Sequence, residues 1–312
     1  MRSQFAPMDP NGRNRRKRGN PVHGWVVLDK PLGLGSTKAV GRVRWLFEAQ
    51  KAGHAGTLDP LATGVLPIAL GEATKTVPFL VDAAKAYEFD ITFGLSTETL
   101  DAEGAVTGRS DVRPEADAIK AVLPRFIGNV EQVPPKYSAI KIDGKRAYDL
   151  ARAGVAVEMK TRIVRIDAVS LTGQSGDIAS FTVDCGKGTY VRSLARDICE
   201  ALGAQGHVSR LRRTRVGPFD VSQSVTLEAL EADEDRITAL RAVAAALPNL
   251  PRLYIDEVQA KELRFGRDIP VDMAYPDGTE VGVFLNEQLV AIGACDDGLF
   301  HPRRVFAVNS PE

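Results

Sequence analysis

The stretch Lys51-Ala-Gly-His-Ala-Gly-Thr-Leu-Asp-Pro-Leu-Ala-Thr-Gly-Val-Leu-Pro-Ile-Ala-Leu-Gly-Glu-Ala-Thr-Lys75 constrains the fold more than any other. Gly53, Gly56 and Pro60 break its first half into an irregular loop carrying one imidazole, His54, and one carboxylate, Asp59. The apolar run from Val65 to Leu70 then predicts a buried β-strand. A tight loop fastened to such a strand holds a side chain rigidly yet leaves it open to a ligand, which is what a reacting group requires. Asp before Pro is also a common turn device, because proline fixes the next dihedral. Spacing alone therefore assigns Asp59 no chemistry.

Composition narrows the classes. With 312 residues, 44% of them hydrophobic, the chain can bury a sizeable core and has room for one large domain and a small one. Its three cysteines, Cys185, Cys199 and Cys295, are scattered and odd in number, so neither a disulfide framework nor a zinc site is expected. The four histidines are equally dispersed, and no metal is expected. No apolar run approaches the roughly 18 residues of a membrane helix. The basic N-terminal stretch has no apolar segment behind it, which argues against secretion, and the expected location is the cytoplasm. No GxxxxGK[ST] loop is present; Gly33-Leu-Gly-Ser-Thr-Lys38 lacks the spacing.

Forty Lys and Arg balance forty Asp and Glu, so bulk charge does not announce a nucleic-acid binder. The distribution is more informative. Arg13, Arg15, Arg16, Lys17 and Arg18 cluster, as do Arg210, Arg212, Arg213 and Arg215, and Glu228, Glu231, Asp233, Glu234 and Asp235 form an acidic counterpart. Such clusters can meet phosphates although the total is neutral.

Along the chain, residues 1 to about 20 lack periodic apolar positions and predict a disordered basic arm. Residues 24–31 read as a strand ended by a Lys-Pro turn, and Ser36 as the cap of a helix to about Glu48 with Val40, Val43 and Phe47 on one face. Glu72 to about Leu80 reads as helix. From Ala84 to Leu95, Tyr87, Phe89, Ile91 and Phe93 alternate with polar residues, so pattern alone makes Tyr87 a core tyrosine on a half-buried strand. Asp101 to Asp111 reads as a polar turn region and Glu115 to Leu123 as a short helix. Residues 133–145 combine a proline-directed approach, a strand and an Asp-Gly hairpin turn, and Ala147 to Ala153 is helical. Two strands, Ile163 to Leu171 and Ile178 to Cys185, lead into a glycine-bearing turn and a helix with Val191, Leu194, Ala195, Ile198 and Leu202 on one face and Gly203 as its stop. Residues 207–215 form a basic strand with Leu211 turned inward. Thr226 to Ala246 predicts helix, and Pro248 and Pro251 mark a boundary. Beyond them lie a helix from Asp256 to Arg264 and strands at Val281 to Leu285, Leu289 to Ala294 and Val305 to Val308.

Three runs carry a resemblance: Gly53 to Pro67, Lys187-Gly-Thr-Tyr-Val-Arg192, and His207 to Arg215. In this order, they resemble the motifs of the TruB-type tRNA pseudouridine-55 synthases in their bacterial form, over most of residues 22–250. The resemblance implies an α+β fold. A catalytic domain, residues 21–248, is built on a mixed, mainly antiparallel sheet with flanking helices and carries an RNA-closing insertion at about 130–160. A small β-rich, PUA-like RNA-binding domain fills 251–312.

The same resemblance implies roles. Asp59 is the catalytic aspartate, Arg192 its partner, and Tyr87 the aromatic laid against the target base. His54 contacts substrate, Tyr190 and Leu211 line the base pocket, and Lys30, in the Asp29-Lys30-Pro31 turn, supports substrate binding. Arg210, Arg212 and Arg213 meet the RNA backbone. The implied reaction turns uridine-55 in the T-loop of tRNA into pseudouridine by base flipping and a covalent step through Asp59. It needs no cofactor, its partner is the tRNA T-arm without any membrane, and the chain is expected to act as a monomer. An arginine beside this aspartate orients it and opposes its neutralisation by burial.

Two other classes compete. A non-catalytic RNA-binding or tRNA-folding protein would use the basic strand and not Asp59. A hydrolase acting on nucleosides would need a second carboxylate beside Asp59 rather than Arg192.

Overall fold

The structure is a computed structural model that describes residues 19–138, 140–142, 144–155, 158–271 and 275–307. The expected basic arm lies outside these residues except for its last two positions, and so does residue 308 of the last expected strand. Among the described residues, one sheet has nine strands: β1 (Gly24–Lys30), β2 (Ala52–His54), β3 (Ala62–Leu70), β4 (Lys85–Phe93), β5 (Gly128–Gln132), β6 (Arg162–Ser175), β7 (Ile178–Cys185), β8 (Gly206–Val216) and β9 (Phe219–Asp220). The order is β1-β3-β8-β4-β7-β6-β5, with β2 on β3 and β9 on β8. Only β3 and β8 pair in parallel; the other pairs are antiparallel.

Period-two alternation makes β4 the centre of this sheet. Lys85, Tyr87, Phe89, Ile91 and Phe93 are buried, while the residues between them are partly exposed. Phe89 stands opposite Phe181 of β7, and the two rings stack with centroids 5.0 Å apart. Such a pair adds about 0.5–1.5 kcal/mol beyond its buried area. Helices Ser36–Leu46 and Val191–Ala201 bury Val43 and Leu46, and Leu194 and Ile198, in the same core.

β3 and β8 approach closely because of one glycine. Gly64 faces Arg213, and a Cβ there would lie 2.2 Å from the Arg213 carbonyl oxygen. Its φ of +98° is also one that other residues rarely adopt.

A second sheet of five strands is ordered Arg252–Tyr254, Glu280–Leu285, Gln288–Asp296, Leu299–Val305, Ile269–Pro270, with helix Glu257–Arg264 packed on it through Ala260 and Leu263. That helix begins at Asp256 with a full capping box to Gln259. The two sheets share a second apolar cluster, in which Trp25, Val27 and Val65 meet Phe284, Leu289, Ile292 and Phe306. Lys75 Nζ also donates to the Val305 carbonyl at 2.6 Å, and the Ala307 amide to Glu72 Oε2 at 2.9 Å. No helix among the described residues is long and apolar enough to cross a membrane.

Several local expectations are corrected. Ser36 does not cap its helix; the cap position is Gly35, and the Ser36 hydroxyl is tied to both the amide and the carbonyl of Leu58. The turn region Asp101 to Asp111 contains a strand, Val106–Arg109, paired with Leu95–Thr97. Thr226 to Ala246 is not one helix but the short helix Leu227–Ala232 followed by 3-10 turns Arg236–Ala239 and Val243–Ala246. Pairing with the edge of β1 accounts for the break, because Trp25 and Arg241 exchange both backbone hydrogen bonds and hold the chain extended there. The last strand is Leu299–Val305 rather than Val305 to Val308.

Candidate active site

The loop between β2 and β3 runs at the seam where β3, β8 and the start of β4 meet. Gly56, with φ +92°, gives it a sharp bend. The Asp59 carbonyl accepts the Ala62 amide, and the Pro60 carbonyl accepts the Gly33 amide, so the carboxylate stands on a tied turn. Asp59 Oδ2 meets Arg192 Nη2 at 2.7 Å.

Arg192 lies in the first turn of helix Val191–Ala201, where the helix dipole disfavours a cation. Two carboxylates and two carbonyls offset that. Beside Asp59, Asp101 Oδ2 lies 3.3 Å from Nη1, and the guanidinium donates to the carbonyls of Thr99 (2.8 Å) and Tyr137 (2.9 Å). Asp101 is itself buried and held by the Thr99 hydroxyl and the Glu103 amide. A buried ion pair stabilises only when its remaining donors and acceptors are satisfied, and here each terminal nitrogen of Arg192 has two partners.

These groups open onto a cleft of about 550 Å³, lined by Asp59, Tyr87, Tyr190, Arg192 and Leu211, among others. Tyr87 and Leu211 are buried in the sheet but reach the cleft floor. Burial raises the Tyr87 phenol above its ordinary value, against the pull of the neighbouring Arg213, so the group stays protonated in neutral solution. Tyr190 is fixed by Gln132, whose side chain accepts the Tyr190 amide at 2.8 Å and donates to its carbonyl at 3.2 Å. Lys85, one residue pair before Tyr87, also lines the cleft; its ammonium donates to the Val81 and Ala83 carbonyls, and burial lowers it to about 8.

Five expected positions differ. Arg213 is only 1% exposed and cannot meet an RNA backbone. Its guanidinium donates instead to the carbonyls of Val65 (2.7 Å), Thr57 (3.2 Å) and Gly56 (3.3 Å), bracing the loop that carries Asp59. The cause is a bulge in β8 between Val208 and Arg210, which resets the alternation and turns Leu211 and Arg213 inward together. Arg210 and Arg212 stay at the surface, but Asp90 and Asp29 pair with them at 2.7 and 2.8 Å and cancel much of their pull on phosphate. Lys30 is fully buried and is not among the residues lining the cleft; it donates to the Pro31, Leu34 and Pro60 carbonyls beneath the Asp59 turn. His54 ends β2 and is not among the residues lining the cleft. Burial lowers its pKa, Arg213 adds to this, and its Nδ1 is buried without a partner.

Sequence reasoning missed Asp101, Gln132 and Lys85. Only Lys85 carried a local signal, because it shares the inward face of β4 with Tyr87. The arrangement presents one exposed carboxylate, oriented by a buried guanidinium, to a slot with two aromatic rings. That suits covalent attack on a planar, cyclic substrate. The sole grouping with metal-ligand spacing among the described residues, Asp277, Asp296 and Asp297, is exposed on the small sheet and outside the cleft.

Comparison with known proteins gives this geometry a family. The family described as TruB family pseudouridylate synthase (N terminal domain) matches residues 44–191, and the tRNA pseudouridylate synthase B C-terminal domain matches residues 192–247. The chain is 49% identical over 314 residues to tRNA pseudouridine synthase B of Rhizobium meliloti (strain 1021), covering 95% of this chain and 99% of that protein. It is 52% identical over 308 residues to the protein of the same name in Caulobacter sp. (strain K31), with 95% and 99% covered. Among solved structures it is similar to a chain of a Cbf5-Nop10-Gar1 complex, with a TM-score of 0.68, 27% identity, and 95% of this chain and 92% of that chain covered. It is also similar to a chain of an H/ACA RNP bound to a substrate RNA containing 2'-deoxyuridine, with a TM-score of 0.70, 26% identity and 96% and 93% covered. The expected α+β architecture with a β-rich C-terminal part agrees with these folds. This chain belongs to the TruB family of pseudouridylate synthases and is an isomerase.

Proposed function

We propose that this protein isomerises uridine-55 in the T-arm of tRNA to pseudouridine, with residues 21–248 as the catalytic domain and 251–312 as an RNA-binding module. The names of its bacterial relatives support tRNA as the substrate. The observation that carries the chemistry is the pairing of an accessible Asp59 with a buried Arg192 at 2.7 Å inside a cleft large enough for a nucleotide.

The target uridine leaves the stack of its loop and enters the cleft. Its uracil lies against Tyr87, a contact worth about 1–3 kcal/mol, comparable with the cost of unstacking a nucleotide. Asp59 supplies the covalent step, at ribose C1' or at uracil C6. The N1–C1' bond breaks, the ring turns and C5 bonds to C1'; the bond to Asp59 is then broken, and C5 loses a proton while N1 gains one, so atoms balance without any redox partner. Because the Tyr87 phenol stays protonated, its role is stacking and hydrogen bonding rather than resting as a phenolate base. Asp59 pairs with a guanidinium and is the sole carboxylate among the described residues lining the cleft, which disfavours the hydrolytic alternative.

The position is tested by incubating the purified protein with unmodified tRNA and mapping pseudouridine by mass. Modification confined to position 55 is expected; modification elsewhere, or none, contradicts the assignment.

A further inference from the structure

Three arginines line the cleft, and two of them are fully engaged by the protein. Arg192 is matched by Asp59 and Asp101, and Arg213 is sealed beneath three carbonyls. Arg162, the first residue of β6, differs from both. It is partly exposed, and among the described residues no carboxylate forms an ion pair with it. Its Nη2 donates to the Gly188 carbonyl at 2.7 Å, and its guanidinium lies 4.8 Å above the Tyr190 ring. Its Nε is buried without a hydrogen-bond partner.

That imbalance is unusual within this sheet. Arg165, Arg210, Arg212 and Arg215 each sit 2.6–2.8 Å from a carboxylate, in a chain whose formal charge sums to zero. A guanidinium has five N–H donors in a planar fork suited to a tetrahedral anion, and Arg162 commits one of them. Lys187, on the same side of the cleft, is balanced by Asp82 at 3.0 Å. Asp59 is the carboxylate lining the cleft, and Glu103 lies near enough to feel both Asp59 and Asp101, so negative charge gathers around that end. An extruded nucleotide keeps its two phosphodiesters, and these must settle where the charge is positive while the base goes in.

We infer that Arg162 binds a phosphodiester group of the RNA nucleotide that enters the cleft, while its guanidinium face holds Tyr190 in place for the base. The inference rests on the RNA-isomerase reading and assigns to the same site the residue that orients the nucleotide's backbone.

The test uses a T-arm hairpin RNA in which a single uncharged methylphosphonate replaces the phosphate 5' or 3' of the target uridine. Equilibrium binding is measured for the full chain and for Arg162→Gln and Arg162→Lys. One of the two replacements is expected to weaken binding by the unaltered protein about tenfold and to leave Arg162→Gln unaffected. Arg162→Gln should lower the salt dependence of binding by about 0.7 in log–log slope, and Arg162→Lys should keep that slope. Effects of RNA and protein changes that add in full at both positions would overturn the assignment, because bracing Tyr190 alone is blind to a distant phosphate charge. Coupling between Arg162 and one phosphate without any uridine conversion would instead sink the isomerase reading and leave the phosphate site standing.

Discussion

The Asp59 carboxylate and the Arg192 guanidinium are 2.7 Å apart, yet the acid's side chain is 42% exposed and the arginine's only 5%. The asymmetry separates two tasks. The group that reacts faces the cleft, and the group that orients it is locked in the protein by partners of its own, Asp101 and two backbone carbonyls. Arg192 therefore holds its place without Asp59, whereas Asp59 depends on Arg192 for its direction.

Asp101 should accordingly matter for turnover without touching substrate. Asp101→Asn keeps the shape and removes the second negative charge from Arg192, leaving it free to swing toward Asp59. A displacement of about 1 Å in a reacting group can cost about 100-fold in rate. The expected result is a kcat lowered by about that factor with little change in tRNA affinity, measured under single-turnover and binding conditions. An unchanged kcat would remove Asp101 from the network.

Arg213 is a stability element. Arg213→Met takes a donor from one buried and two part-buried carbonyls, a buried loss costing about 1–3 kcal/mol, while relieving the desolvation of a buried charge. The net expectation is a loss of roughly 2–4 kcal/mol, read by calorimetry or urea unfolding. Unchanged stability would mean that the Asp59 loop holds itself.

Lys30 gives a pH dependence with a definite sign. Burial lowers its ammonium from 10.5 to about 8, against the attraction of Asp59. Between about 8 and 10.5 the folded chain has shed this proton and the unfolded chain still holds it, so the Lys30 contribution makes stability rise with pH there. The difference in urea stability between the unaltered protein and Lys30→Met should be flat below pH 8 and should climb through that window in favour of the unaltered protein. A flat or falling difference across the window contradicts the assigned direction.

What the sequence revealed, and what it concealed, follows from the range of the interactions. The strand through Tyr87 was legible because burial on one face imposes period two on neighbouring residues. Asp59 and Arg192 were legible as a pair only through resemblance, since no local rule links a loop to the first turn of a distant helix. Asp101 sits among Thr, Glu and Gly residues that read as solvent-facing turn, and only its packing on Arg192 buries it. Arg213 was misread because a cluster of arginines suggests a surface, yet it shares a face with Leu211 two positions earlier, and that spacing was a usable signal. Lys30 lies beneath the turn that carries Asp59, and the sequence does not tell a lysine under a turn from one above it.

Release of tritium from C5-labelled uridine in tRNA by Asp59→Asn tests the central claim most directly, alongside tRNA binding by the same variant. The account predicts no release above background with affinity close to that of the unaltered protein, because the amide keeps the size of the side chain and loses its nucleophilic charge. Release at a rate comparable to that of the unaltered protein would contradict it.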